Sequence, residues 1–207
     1  MIVLDIETSW ANPYNNSIVS IWAIELENPL NQFYEECKVF DWADIQPKAL
    51  EVNWFIVEQI TDITKQTVWE LILNFINWCN GINERTIWWH NVWYFDLRFL
   101  EENGNNVWIK HNFWLLNWNY RTIDLHTIAY NYLVRNNIEI IMKNNQSALN
   151  LDYVLWLVWL PMEPKPHNGL NWAKYEAEAF SRFLYWKKLL PEFEKYNLPE
   201  NFFSNKD

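Results

Sequence analysis

The sequence predicts one α/β domain in which helices flank a mixed sheet whose first three strands are antiparallel. Runs rich in β-branched residues come first, and helical segments alternating with single strands follow them. The 207 residues are 50% hydrophobic, which is enough to fill the core of a single domain. No linker or internal repeat divides the chain, so residues 1–190 are expected to form the domain and residues 191–207 a polar, loosely held tail.

Five segments have the composition of strands. The first contains β-branched Ile2 and Val3 in a short apolar run that ends in acids, which predicts a buried strand. The next two follow it closely, so these three are expected to form an antiparallel meander. The predicted strands are residues 1–7, 17–26, 32–40, 85–89 and 121–125.

The helices are predicted from apolar spacing and from residues that begin or end helices. Apolar residues from Val68 to Ile76 recur at the spacing of one helical face. Asn103 and the glycine after it are expected to end one helix, whereas Asn150 is expected to cap another that Pro161 terminates. The predicted helices are residues 47–50, 67–79, 94–102, 125–135, 151–159 and 171–190.

The charge, cysteine content and hydropathy of the chain limit its location and partners. The net charge of −10 excludes a broad basic surface for nucleic acid, so any such contact must be local or mediated by metal ions. Cys37 and Cys79 do not make a disulfide framework, which favours a reducing compartment. No apolar run is long enough to span a bilayer and no leader precedes the first strand, so we expect a cytoplasmic protein without a membrane partner.

Asp5 and Glu7 stand two residues apart on the first predicted strand, so their side chains are expected on one face of the sheet. Two carboxylates at the carboxyl end of a buried, central strand repel each other unless a cation lies between them. Mg²⁺ and Mn²⁺ suit this position, because carboxylate oxygens are among their preferred ligands. Taken alone, so short a pattern is more often a solvated strand end, and the metal site depends on its context.

Three segments of the chain carry ordered groups of acids and histidines. Residues 3–9 read Val-Leu-Asp-Ile-Glu-Thr-Ser, residues 90–96 read His-Asn-Val-Trp-Tyr-Phe-Asp, and residues 167–173 read His-Asn-Gly-Leu-Asn-Trp-Ala. In this order they resemble the three motifs of the DEDDh, or DnaQ-like, exonucleases, the family that includes the proofreading epsilon subunit of bacterial replicative DNA polymerase. The resemblance extends over about residues 1–190.

The resemblance implies a ribonuclease H-like fold with a five-stranded sheet, and hydrolysis of phosphodiester bonds at the 3′ ends of single-stranded DNA. It assigns Asp5, Glu7 and Asp96 as ligands of two Mg²⁺ or Mn²⁺ ions, and His167 as the general base that takes the proton of the attacking water. An unperturbed histidine pKa of about 6.5 suits that step at neutral pH. Because prolines and a glycine surround His167, we expect it on a mobile loop before the last helix.

The same resemblance assigns substrate contacts and partners. Thr8 and Asn91 are expected to contact the substrate, with Thr8 close to the terminal nucleotide. The resemblance thus implies that the protein binds the 3′ ends of single-stranded nucleic acid, during proofreading or repair. The chain carries no polymerase sequence, so a proofreading role would require a polymerase subunit as its partner.

The sequence departs from the family pattern at the fourth acid. The family has Asp five residues after the motif histidine, and this chain has Trp172 there. Tryptophan offers only an N–H donor and cannot bind Mg²⁺. Glu176 follows one helical turn later on the same face and is the alternative source of a carboxylate. We therefore expect the chain as written to cleave 3′ ends more slowly than a chain with Asp at position 172.

Three functions remain open on these residues. The first is the single-stranded DNA exonuclease described above. The second is an RNA exonuclease of the same fold, which contacts with the 2′-hydroxyl would distinguish. The third is a catalytically impaired nucleic-acid-binding domain derived from the same family, which Trp172 favours.

The glycine and tryptophan contents are abnormal. Ordinary usage of about 7% would give about 14 glycines, whereas the chain has 3 glycines and 16 tryptophans. One hypothesis is that many tryptophans are glycines whose UGA codons, assigned to glycine in some bacterial codes, were translated as tryptophan. The alternative is an authentic tryptophan-rich protein. The tryptophans that fall where the family tends to have glycine are Trp10, Trp22, Trp54, Trp89 and Trp159.

Overall fold

The computed structural model of the chain describes residues 1–91, 95–106, 122–162 and 169–199. A five-stranded sheet with the strand order β3-β2-β1-β4-β5 forms its centre. β1 pairs antiparallel with β2, and β2 with β3, whereas β1 and β4, and β4 and β5, are parallel. The predicted mixed sheet with three antiparallel leading strands is confirmed. The strands are β1 (Ile2–Thr8), β2 (Ile18–Glu25), β3 (Gln32–Glu36), β4 (Ile87–Trp89) and β5 (Thr122–Asp124).

Helices cover both faces of this sheet. None of those in the described ranges is both long and apolar enough to cross a membrane. A short hairpin, β6 (Met142–Lys143) with β7 (Gln146–Ser147), and a 3₁₀ turn at Pro191–Phe193 complete the described elements. The helices are α1 (Pro47–Asn53), α2 (Val57–Ile60), α3 (Val68–Asn80), α4 (Asp96–Asn106), α5 (Leu125–Arg135), α6 (Leu151–Leu157) and α7 (Gly169–Tyr185).

α3 covers one face of the sheet and forms as its sequence predicts. Thr67 accepts a hydrogen bond from the Glu70 amide, and the Glu70 carboxylate accepts one from the Thr67 amide, so the first turn is capped from both sides. Phe75 on the buried stripe of α3 packs against Phe33 of β3, with ring centroids 5.4 Å apart. The apolar side chains of this stripe are Val68, Leu71, Ile72, Phe75 and Ile76.

α7 packs against β1 and β2 and covers the opposite face. The pairing register places Leu4 beside Ala23, and it places Asp5 beside Trp22. Because neighbouring residues of a strand point to opposite faces, Leu4 faces the α3 side and Asp5 faces the α7 side. The candidate acids of β1 therefore lie beneath α7.

α4 does not end where the sequence predicts. The helix continues through Asn103 to Asn106, because the Asn103 side chain is fully buried and bonds to the loop before β2. Its Oδ1 accepts a hydrogen bond from the Ile18 amide at 2.9 Å, and its Nδ2 donates to the Asn16 carbonyl at 3.2 Å. The residue that resembles a helix stop is thus a long-range link between α4 and β2.

A buried ion pair holds the chain after α7. Arg182 and Glu178 are both fully buried, and Arg182 Nε donates to Glu178 Oε1 at 2.7 Å. The other Glu178 oxygen accepts the amides of Leu189 and Leu190. Residues 191–197 are therefore fixed more firmly than their polar sequence predicts, while the domain boundary at residue 190 stays a prediction. The Arg182 guanidinium also donates to the carbonyls of Val158, Phe193, Tyr196 and Asn197.

We expect Arg182→Ala to lower the free energy of unfolding by about 3–5 kcal/mol, because it leaves the Glu178 carboxylate buried without its cation. Chemical denaturation measures the loss. Arg135→Ala is the matched control, since Arg135 is exposed and bonds only to Asn131 within α5 in the described structure, and it should change stability by no more than about 0.5 kcal/mol. Equal losses in the two variants would contradict this role for Arg182.

Candidate active site

The candidate site begins where β4 separates from β1. The two strands pair only at Ile2 with Ile87 and at Val3 with Trp88, whereas β1 continues alongside β2 as far as Thr8. Asp5 is the fourth of the seven residues of β1, nearer the middle of the strand than the predicted carboxyl end, but it lies just beyond the part paired with β4. The β4 side of β1 is consequently available to another element from this point.

α4 occupies that side of β1. Its first residue, Asp96, is almost completely buried, and Asp96 Oδ1 accepts a hydrogen bond from the Ile6 amide at 3.3 Å. Ile6 stands between Asp5 and Glu7, whose side chains share one face of the strand. The backbone therefore brings the carboxyl group of Asp96 beside the segment that carries the other two acids.

The electrostatics of Asp96 reflect this crowding of acids. Burial raises the pKa of the Asp96 carboxyl well above its usual value, and the negative charge of Glu7 raises it further. Hydrogen bonds from the amides of Asp96 itself and of Ile6 act in the opposite direction and lower that pKa. Glu7 also raises the pKa of Tyr34 through its charge, although burial is the larger cause there. A cation placed among these carboxylates would oppose the shift at Asp96.

The start of α7 lies directly against Asp5. A Cβ atom built on Gly169, the first residue of the helix, would come within 2.8 Å of Asp5 Oδ2 and within 2.3 Å of Trp22 Cδ1. Only glycine fits this contact. The contact of Gly169 with Asp5 is not predicted from the sequence. The available signal was a glycine two residues after the motif histidine, His167.

The two predicted substrate-contacting residues have partners within the protein. Thr8 is buried, and its Oγ1 donates to the Trp10 carbonyl at 2.7 Å. Asn91 is exposed with a φ of 65°, and its Nδ2 lies 3.2 Å from Nδ1 of His90. The Asn91 amide donates to Asp124 Oδ2 at 2.6 Å, which anchors the second motif to the end of β5. Their contacts with substrate stay predictions.

The position of the fourth acid lies on α7. Trp172 is half-buried and packs against the main hydrophobic core. One turn later, Glu176 is completely buried, and its Oε2 accepts a hydrogen bond from the His90 amide at 3.1 Å. Glu176 therefore contacts the start of the second motif, the segment that leads to Asp96.

The predicted general base, His167, lies outside the described residues, as does its expected loop position. In the described part of the chain, no group of three or more histidine, cysteine, aspartate or glutamate side chains is arranged to hold a metal ion. The donor chemistry nevertheless fits Mg²⁺ or Mn²⁺, since Asp5, Glu7 and Asp96 supply only carboxylate oxygens. The hydrogen bond from the Ile6 amide to Asp96 Oδ1 places the Asp96 carboxyl group beside the strand segment that carries Asp5 and Glu7.

Several solved structures share this fold. Exonuclease I of E. coli in complex with a dT13 oligonucleotide has a TM-score of 0.67 and 14% sequence identity, and the match covers 87% of this chain and 40% of that one. A further exonuclease I structure has a TM-score of 0.69 at 15% identity, covering 90% and 40% of the two chains. Cell-death related nuclease 4 (CRN-4) has a TM-score of 0.63 at 15% identity, covering 90% and 64%.

These similarities are structural. No protein-family model matches the sequence, and no curated protein matches it. The chain spans about 40% of the length of exonuclease I in these comparisons. Together with the strand order, they confirm a ribonuclease H-like α/β fold.

Proposed function

We propose that the protein is a metal-dependent 3′–5′ exonuclease that hydrolyses phosphodiester bonds at the 3′ ends of single-stranded DNA. The observation that carries the proposal is the Asp96 carboxylate bonded to the Ile6 amide, between Asp5 and Glu7. The fold supports it, because exonuclease I has been solved with the single-stranded oligonucleotides dT13 and dA16. The net charge of −10 is compatible with this function, since bound cations would neutralise the acidic site locally.

In the proposed mechanism, Asp5, Glu7 and Asp96 would hold two Mg²⁺ or Mn²⁺ ions. When bound, such a pair lowers the pKa of the attacking water and stabilises the charge that develops on the departing 3′ oxygen. A nitrogen of the His167 imidazole takes the proton of that water, a task for which histidine has a suitable pKa. Thr8 and Asn91 orient the terminal nucleotide, and Gly169 keeps the start of α7 close to Asp5.

The direction of cleavage and the nature of the substrate test this proposal. We expect a 5′-labelled single strand of DNA to shorten progressively from its 3′ end with Mg²⁺ or Mn²⁺, and to stay intact with EDTA. Both the unaltered chain and Trp172→Asp should be assayed, because the missing acid is expected to slow the former. Internal cuts, or cleavage that EDTA leaves unchanged, would overturn the proposal.

Trp172 favours a second candidate function, a catalytically impaired domain that binds single-stranded nucleic acid. It predicts retention of a labelled strand without cleavage, even by the folded Trp172→Asp variant. An RNA strand of matching sequence belongs in the same assay, since faster shortening of RNA than of DNA would identify an RNA exonuclease. A polymerase subunit as partner would be required only for a proofreading role, and co-purification with a polymerase would test it.

A further inference from the structure

Three tryptophans occupy backbone conformations that favour glycine. Trp54, Trp159 and Trp186 have φ angles of 61°, 59° and 55°, in the left-handed region that a bulky L-residue rarely adopts. Every other described non-glycine residue in that region is asparagine, which tolerates it best. No described glycine has a positive φ. Tryptophan thus stands where a chain of ordinary composition places its glycines.

All three tryptophans follow the ends of helices. Trp54 comes directly after α1, and its amide donates to the Leu50 carbonyl at 2.9 Å, which closes the helix in a left-handed cap. Trp159 follows α6 by two residues, and Trp186 comes directly after α7. Glycine is the usual residue at such a position, because it has no Cβ to strain the turn.

At two of these positions, the tryptophan side chain is too exposed to offset the backbone strain by burial. Trp54 is 62% exposed and Trp159 is 50% exposed, so at least half of the surface of each residue faces solvent. Burial of an indole is the main way in which tryptophan stabilises a fold. The left-handed backbone at positions 54 and 159 therefore favours glycine, and burial of the indole gives little reason for tryptophan.

Trp22 shows a different conflict, a close contact between rings, at a half-buried position. Its ring centroid lies 3.3 Å from that of Tyr34, closer than the 4.5–7 Å or so at which aromatic pairs normally settle. It also fills the space beside Gly169, above its strand partner Asp5. Glycine at position 22 would relieve the contact and widen the space next to the candidate site.

We infer that the natural polypeptide carries glycine at positions 22, 54, 159 and 186, through decoding of UGA as glycine. The inference is independent of the proposed function, since it depends on backbone angles, exposure and ring distances. Four such replacements would also bring the 3 glycines and 16 tryptophans of the chain closer to ordinary composition. Trp78 is the contrasting case. It lies inside α3 without a positive φ, and its Nε1 donates to Asn31 Oδ1 at 2.9 Å, so we expect an authentic tryptophan there.

Stability measurements on the chain as written test the inference. We expect Trp54→Gly and Trp159→Gly each to raise the folding equilibrium constant about fivefold or more, by removing left-handed strain at exposed positions. Trp156→Gly is the matched control: Trp156 is 63% exposed, like Trp54, but lies inside α6, where glycine weakens a helix. Its equilibrium constant should fall. A fall of similar size in the two test variants would overturn the inference.

The natural protein and its gene give a direct answer. Peptide mass spectrometry of the protein from its own source should find glycine at positions 54, 159 and 186, and tryptophan at position 78. The gene should have UGA at the first three positions and UGG at the last. Tryptophan in the natural peptides, or UGG codons at positions 54, 159 and 186, would overturn the inference whatever the stability data show.

Discussion

Asp96→Asn is expected to lower the rate of 3′-end cleavage about 10³-fold, the upper range for removal of one electrostatic group from an active site. The amide has the same shape and its Oδ1 can still accept the Ile6 amide, so the bond that joins α4 to β1 is retained. What is lost is the negative charge of the carboxylate, which makes it a stronger ligand for Mg²⁺ than a neutral amide oxygen. The measurement is initial shortening of a 5′-labelled strand, made in the Trp172→Asp background so that the starting rate is high.

The same substitution should not destabilise the protein. The raised pKa of Asp96 shows that burial and Glu7 both disfavour its charged form, so a neutral amide removes an unfavourable term in the absence of metal. Asp152→Asn is the control, since Asp152 is exposed in the first turn of α6 and should leave the rate unchanged. A folded Asp96→Asn variant that cleaves at the control rate would show that Asp96 is not part of the site.

Local signals in the sequence accounted for most of the secondary structure. The apolar stripe and the Thr67–Glu70 capping box both lie within the α3 segment, so they predict this helix without any distant contact. The structure contains both features. The spacing of Asp5 and Glu7 determines that they share a face, because a strand has a period of two. Such features need no knowledge of distant residues, so the sequence could predict them.

Contacts between distant segments explain the failures. Asn103 resembles a helix stop locally, but its bonds to residues before β2 make it a helical core residue. β3 ends at Glu36 and not at residue 40, because the chain beyond Glu36 departs from β2. The Val39 amide there donates a hydrogen bond to the Ile60 carbonyl. In the sequence, Glu178 and Arg182 have the spacing of an ordinary ion pair on a helix surface. In the structure, both side chains are buried, because the chain after α7 covers them. No local sequence pattern predicts such contacts between distant segments.

The residues of the candidate site were only partly predictable from the sequence. Motif resemblance selects Asp5, Glu7 and Asp96, and the bond from the Ile6 amide places Asp96 beside the strand segment that carries the other two. The contact of Gly169 with Asp5 depends on how α7 crosses β1, which the sequence does not state. The roles of all four residues stay predictions until the variants are measured.

Trp172→Asp is expected to raise the rate of 3′-end cleavage about 10²-fold or more, given what one charged group contributes in such a site. Gly169, one helical turn earlier on α7, lies against Asp5. Residues three apart share a face of a helix, so a carboxylate at position 172 would project towards the same acids. It would supply the ligand that tryptophan cannot. The assay is shortening of a labelled strand with Mg²⁺ or Mn²⁺.

Trp172→Asn and Trp172→Gly separate the charge from the loss of the indole. Both remove the half-buried ring, so both should share any effect of relieved crowding or lost packing, but neither adds a carboxylate. We expect the rate to rise only with Asp. Equal gains in all three variants would show that the indole merely obstructs the site. Full activity of the unaltered chain, lost in Glu176→Gln but not in Trp172→Asn, would instead assign the fourth carboxylate to Glu176, which lies one turn further along α7.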